Sequence, residues 1–298
     1  MSRALSEQEY VEQNPQLFRR LHFHDGVWWD QIYPGFARPA FKFRALVPRT
    51  VRPARSQSWL GYSHFVSETG QGNGAVRYMV LAGDDLRDFG MARLDSKKRN
   101  QVRKGLKCCE VRDMSDLESC LEDAREVCVS HAQRGASSRK AFHASPDFFR
   151  NQADTWRMQM RRDFAGGGRS WYGAWHEGRL IAYLVTLQVE DTVLVEKMKL
   201  HTDFLAFCPS DALYFHVLSR IAQDSACLRV INSSPQRPGL DRFKEQFLFK
   251  ATPLPQYVSN PAAYRLAMRA MALRNKWVEF RRARREQQAA AGIAEDVP

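Results

Sequence analysis

The chain has 298 residues and carries 45 Lys and Arg against 33 Asp and Glu, a formal net charge of +12. Hydrophobic residues at 44% and charged residues at 26% are ordinary globular usage, which excludes general disorder. The best apolar run, Leu180 to Val189, is far shorter than the roughly 20 residues that cross a bilayer, and the opening Met1-Ser2-Arg3-Ala4-Leu5-Ser6-Glu7 has no signal-peptide core.

Six cysteines are too few for a disulfide scaffold in a chain this long, so the expectation is a cytoplasmic protein with free thiols. The excess positive charge suits a polyanion: nucleic acid, an acidic membrane surface or a phosphorylated ligand. It gathers in two clusters. Lys97, Lys98, Arg99, Arg103, Lys104 and Lys107 form the first, with Val102 and Leu106 as its apolar side; Arg265, Arg269, Arg274, Lys276, Arg281, Arg282, Arg284 and Arg285 form the second. Each reads most simply as a solvated helix face. No aromatic ladder, zinc-knuckle spacing or helix-turn-helix pattern accompanies them.

In chain order, the first 40 residues, rich in Trp, Pro and Gly, read as an irregular cap. Residues 41–47 then alternate with period two and predict a strand, as do 59–66 and 76–81. The basic cluster predicts a helix at 96–107, followed by a short strand at 110–112. Ser115 and Glu118 form a capping box for a helix running past His131. Ser145-Pro146 opens another helix, carrying Phe149, Trp156, Met160 and Phe164 and ending at Gly166-Gly167-Gly168. Three strands follow at 171–175, 180–189 and 193–200, joined by hairpin-length turns. A helix at 211–223, a strand at 228–231, a short helix at 239–247 and a strand at 250–257 complete the pattern. The last helix starts at Pro261, and its stripe Leu266, Ala270, Leu273, Trp277 and Phe280 is expected to dock on the domain. Arg281, Arg282, Arg284 and Arg285 are expected to stay in water, with poor order from Gln287 onward.

This order is an α+β (or α/β) fold, a mixed sheet with helices on both faces. Its natural divisions are an N-terminal subdomain at 1–94, a main domain at 95–260 and a basic C-terminal helix and tail at 261–298. The stretch from Gly90 to Gln256 resembles the GNAT-like acyltransferase superfamily, and within it the FemAB-like branch of peptidyl and aminoacyl transferases. Three features carry the likeness: the basic helix Ser96 to Lys107 before a strand, Gly178-Arg179-Leu180-Ile181-Ala182 opening the central hairpin strand, and Leu240-Asp241-Arg242-Phe243-Lys244-Glu245-Gln246-Phe247 before the final strand. The resemblance implies a GNAT-like sheet flanked by helices, an acyl donor that is a coenzyme A thioester or an aminoacyl-tRNA, and an amine acceptor. It also places Lys244 among the donor-binding residues. One feature departs from it: the glycine loop of acetyl-CoA-binding members is replaced by Phe204-Leu205-Ala206-Phe207-Cys208-Pro209-Ser210-Asp211.

Pro209 at a helix start would leave the amides of Ser210, Asp211 and Ala212 facing a phosphate, although Asp211 also serves as a plain cap and would repel an anion. Glu196 shares a strand face with Leu194, Met198 and Leu200. There it is either a desolvated base for an amine or half of a buried ion pair. Asn232, Ser233 and Ser234 follow a strand, where they line a cleft or form a turn closed by Pro235. Tyr214, one turn into its helix, is a candidate acid toward the leaving group or a core residue with its hydroxyl at the rim.

No metal site is expected. His22 and His24 with Asp25 lack a distant third ligand, and Cys108-Cys109 are poor tetrahedral partners. The leading function is N-acyl transfer by direct attack of an amine. The alternative is a catalytically inactive GNAT-like basic module that binds a polyanion.

Overall fold

The computed structural model describes residues 3–134 and 145–266, together with 269 and 273. The chain opens with helix α1 (Glu7–Gln13), capped by Ser6 and Glu9 in a reciprocal box. Strands β1 (Leu21–His24), β2 (Val27–Tyr33), β3 (Phe36–Pro39) and β4 (Gly61–Phe65) come next, then β5 (Gly74–Ala82) and the single turn α2 (Asp84–Arg87). After α3 (Ser96–Cys108) and β6 (Glu110–Asp113) come α4 (Leu121–Arg134), α5 (Pro146–Asn151) and α6 (Ala153–Ala165). Strands β7 (Arg169–His176), β8 (Arg179–Val189) and β9 (Thr192–Leu200) lead into α7 (Pro209–Ala222), β10 (Arg229–Ile231), α8 (Pro238–Glu245) and β11 (Lys250–Val258). Two compact units result: the chain up to Pro15 with Ala75–Leu254, and Gln16–Gly74 with the chain from Pro255.

The first unit is a mixed sheet flanked by helices, in the order β5-β10-β9-β8-β7-β6. β9 and β10 run parallel, and every other neighbouring pair is antiparallel. β8 is apolar on both faces because both are covered. Ala182 and Leu184 join Val102 of α3 and Leu213 and Val217 of α7 in one core, whereas Leu180, Tyr183 and Val185 pack with α4, α5 and α6 in the other. Turn chemistry sets the hairpins: Glu177-Gly178 and Glu190 adopt positive φ, as tight reversals between twisted strands require.

Helices α3 and α7 approach closely at Gly105, where a Cβ would stand 2.5 Å from the Cys208 carbonyl oxygen and 2.9 Å from the Ala212 Cβ. Gly105→Ala should therefore cost about 1–3 kcal/mol by overpacking, despite alanine's better helix propensity. Urea denaturation would measure it, and a neutral or stabilising result would show that the two helices can part freely.

In the second unit β1 and β2 pair as a hairpin closed by Asp25-Gly26, both at positive φ. β3 runs antiparallel to β2 and parallel to β4, and residues 256–258 pair with β4. Val27, Trp29, Ala37, Leu46 and Tyr62 make its core. His64 is buried here, with its Nδ1 donating to the Phe65 carbonyl at 2.8 Å, while Nε2 meets no partner among the described residues. Burial lowers its pKa, because protonating Nε2 would place a cation in the core. A histidine depressed in the folded state binds more protons when unfolded, so stability should fall as pH drops through about 6.5. Melts at pH 7 and pH 5 should show this slope, and His64→Gln should flatten it.

Several expectations are corrected. The first 40 residues are a helix and three strands, not an irregular cap. Residues 41–47 form no strand: Ala45 makes one isolated bridge to Phe65, and their alternation comes from Phe41 and Phe43 turning inward, with Phe43 stacked on Phe65. The Ser115 capping box is absent, because Asp116 takes the Glu118 amide and Glu118 pairs with Arg161. The helix from Ser145 breaks at Gln152 into α5 and α6. The basic face of α3 is not wholly solvated, since Lys98 is buried.

The last correction concerns the C-terminal helix, whose residues 261–266, 269 and 273 are described as helical. Tyr264 packs its ring against Phe36, with centroids 5.3 Å apart. Leu266 lies about 200° further round a helix from Tyr264, and Leu266 and Leu273 are 69% and 67% exposed. The helix docks through the tyrosine side, so at both described leucines the expected burial of the stripe does not occur. Ala270, Trp277, Phe280, Arg281, Arg282, Arg284, Arg285 and the segment from Gln287 lie outside the described residues.

Candidate active site

β10 is only three residues long and pairs with β9 from Thr192 to Leu194. Beyond that point the two strands have no register in common, and a cavity of about 720 Å³ opens beside Val195 to Leu200. Opposite the strand, Ser210 and Tyr214 of α7, Asn232 and Ser233 after β10, and Phe243 and Lys244 of α8 line it. His131 and Arg134 at the end of α4 and Arg237 before α8 contribute to its wall.

A bulge fixes Glu196. Val185 faces Lys197 and Thr186 faces Val195, so Glu196 is the extra residue of β9, and the simple alternation expected along this strand fails there. Its side chain is 21% exposed and gripped by Arg169, with Oε2 2.7 Å from Nε and Oε1 3.3 Å from Nη2. Arg169 in turn donates to Asn14 Oδ1 at 2.6 Å. Glu196 is therefore ion-paired while lining the cavity, but as a residue it is exposed, so the desolvated position expected for it is not found.

Tyr214 is buried, and its hydroxyl oxygen accepts from Asn232 Nδ2 at 2.7 Å. The amide's orientation follows from its other end, where Oδ1 takes the Ser233 backbone N–H at 2.7 Å. Burial pushes the Tyr214 phenol up to about 12, against a lowering by Asn232. Lys244 is buried as well. Its Nζ donates to Ser233 Oγ at 2.7 Å, and its nearest carboxylate, Asp241, is 3.8 Å away. Burial lowers the Lys244 pKa, opposed by Asp241. Arg134, Lys197 and Arg237 also line the cavity, with Glu196 as its carboxylate, and Lys197 is paired with Asp163 at 2.5 Å.

The helix-start expectation is corrected in part. The Asp211 and Ala212 amides both donate to the Cys208 carbonyl, at 3.1 and 3.2 Å, so this start offers a ligand at most the Ser210 N–H. Neither Asp211 nor Ala212 lines the cavity, and Ser234 does not either. Asp211 serves the packing instead: its Oδ1 lies 2.6 Å from Lys98 Nζ, with both side chains buried. The Lys98 ammonium also sits 4.7 Å and 5.0 Å from the Phe243 and Phe247 ring centroids.

By sequence, His131 falls on a helix and is assigned no role in the site. In the structure its Nδ1 takes the Leu200 N–H at 3.4 Å while the ring lines the cavity. Among the described residues no three His, Cys, Asp or Glu side chains gather as a metal site. All six cysteines are free thiols, and no described helix is long and apolar enough to cross a membrane.

The fold is thus a mixed sheet flanked by helices, with a cavity beside β9 where its pairing to β10 ends. The Acetyltransferase (GNAT) domain family matches residues 96–245, half of the chain, and the protein belongs to it. It is an acyltransferase. No curated protein matches the chain in sequence.

The chain is similar to solved structures that include FemX, at 10% identity over 87% of this chain and 92% of that one, with a TM-score of 0.54. L-PGS from Bacillus licheniformis is 10% identical over 90% and 99% of the two chains, with a TM-score of 0.54. The C-terminal DUF2156 domain of a protein from Agrobacterium fabrum, named as a lysylphosphatidylglycerol synthetase, is 12% identical over 91% and 92%, with a TM-score of 0.56. The likeness to these three structures is one of fold.

Proposed function

We propose that the cavity beside β9 transfers an aminoacyl group from aminoacyl-tRNA to an amine by direct attack. The observation that carries the donor is the start of α7: with the Asp211 and Ala212 amides spent on Cys208, it lacks the row of free N–H groups that would cradle a coenzyme A pyrophosphate. Lys244, Arg237 and Arg134 instead supply side-chain charge suited to a phosphate-bearing donor.

In this reading the acceptor nitrogen attacks the ester carbonyl and the carbon–oxygen bond to the ribose breaks. Lys244 faces the negative charge that develops on the carbonyl oxygen. Tyr214 gives its proton to the departing oxygen. Glu196 keeps acceptor sites beyond those held by Arg169, and these orient the amine and take its proton.

Labelled aminoacyl-tRNA and labelled acetyl-CoA, each offered with a pool of small amines, test the proposal by mass spectrometry of the amide products. Product from the tRNA donor alone is expected, and Lys244→Gln should abolish most of it. Product from acetyl-CoA alone would move the donor to a thioester, and product from neither would remove the reading.

A further inference from the structure

The C-terminal helix carries a feature that acyl transfer does not use. Leu266 and Leu273 stand one above the other, seven positions apart, and both are exposed. On a helix of about 100° per residue, Arg265 and Arg269 fall on one flank of this line. Further along, the sequence adds Arg274, Lys276, Trp277 and Phe280. Arg265 and Arg269 are exposed. Between Pro261 and Val278 there is no acidic residue at all.

We propose that this helix lies on an anionic lipid bilayer, with the Leu266–Leu273 side in the acyl boundary and its flanking cations among the headgroups. Exposed leucines edged by arginines, in a segment whose sequence goes on to Lys, Trp and Phe, have the composition of an interfacial helix, in which long basic side chains reach up to the phosphates. Tyr264 anchors the opposite side through Phe36, so the stripe can be presented without unfolding the helix start. Charge argues for this occupant over a second copy of the chain. Two such helices face to face would bring their arginines together with no carboxylate between them. The stripe argues against RNA, which needs the cations and not the leucines.

Sedimentation of the full chain with vesicles tests the proposal. The protein should pellet with vesicles of phosphatidylcholine mixed with phosphatidylglycerol, pellet poorly with phosphatidylcholine alone, and release as salt rises. Leu266→Glu with Leu273→Glu should weaken binding about tenfold or more and leave the melting temperature unchanged, since both side chains are already exposed. Arg265→Gln with Arg269→Gln should weaken it less and reduce its salt dependence. Failure to pellet with the anionic vesicles overturns the proposal, as does full binding by the double leucine variant. A dimer in light scattering that the leucine substitutions dissolve would overturn it too, assigning the face to a second copy.

Discussion

Lys98→Met should destabilise the first unit by about 3–5 kcal/mol, the usual cost of removing one partner of a buried ion pair. Lys98 is 2% exposed, and its Nζ is 2.6 Å from Asp211 Oδ1. Once it is gone, the Asp211 carboxylate stays in the core with the Ser210 hydroxyl, 3.1 Å from Oδ2, as its remaining side-chain donor. Asp211→Asn should cost less than Lys98→Met, because the amide oxygen still accepts from the ammonium. The double variant Lys98→Met with Asp211→Leu should recover most of the loss, since well-packed apolar residues often replace such pairs at no net cost. Urea denaturation of the four proteins gives the coupling directly. A loss below about 1 kcal/mol in Lys98→Met would place the pair with ordinary surface bridges. The pair joins α3 to the first turn of α7, and that helix presents Ser210 and Tyr214 to the cavity, so a change here should reach the site as well as the stability.

Lys98 shows where sequence reading stops. Lys98, Val102 and Gly105 recur at helical spacing, and all three are buried against α7 or its neighbours. A lysine inside a run of basic residues nevertheless reads as solvated, because nothing local announces Asp211, 113 positions away. The β7-β8-β9 meander was legible for the opposite reason: its turns and its apolar runs are local. The same local signal, Asp25-Gly26, marks the β1–β2 hairpin, but the surrounding aromatics and prolines hid the strand pattern. Residues 41–47 fail in the reverse sense, since period two followed from two inward phenylalanines rather than from a ladder.

Much of the candidate site was legible as residue types at strand and helix ends. Glu196, Ser210, Tyr214, Asn232, Ser233 and Lys244 all reach one cavity. Its finer geometry was not. The bulge at Glu196 exists only in the register between β8 and β9, and a single strand's periodicity cannot reveal it. Nor could spacing show that Arg169 would hold that carboxylate, or that the Cys208 carbonyl would take two of the three amides expected to meet a phosphate.

Tyr214→Phe should lower turnover by about 10²- to 10⁴-fold, the range of a lost general acid, with little change in donor affinity. The hydrogen-bond directions make the case. Ser233 N–H fixes Asn232 Oδ1, so Nδ2 donates to the phenol oxygen, and the tyrosine's own proton remains to be given elsewhere. With burial raising the phenol to about 12, that proton is held throughout neutral pH and is available to a more basic departing alkoxide. The hydroxyl would interact with the departing oxygen mainly in the transition state, so the loss should fall on kcat rather than KM. Asn232→Ala should lose less, because it frees the phenol without removing its proton. A donor with a better leaving group sharpens the test. An activated ester that departs as a weak base needs no acid, so Tyr214→Phe should barely slow it while severely slowing the aminoacyl ester of the proposed donor. Equal losses on both donors would show that the hydroxyl is wanted for its hydrogen bond with Asn232, and that the proton comes from elsewhere.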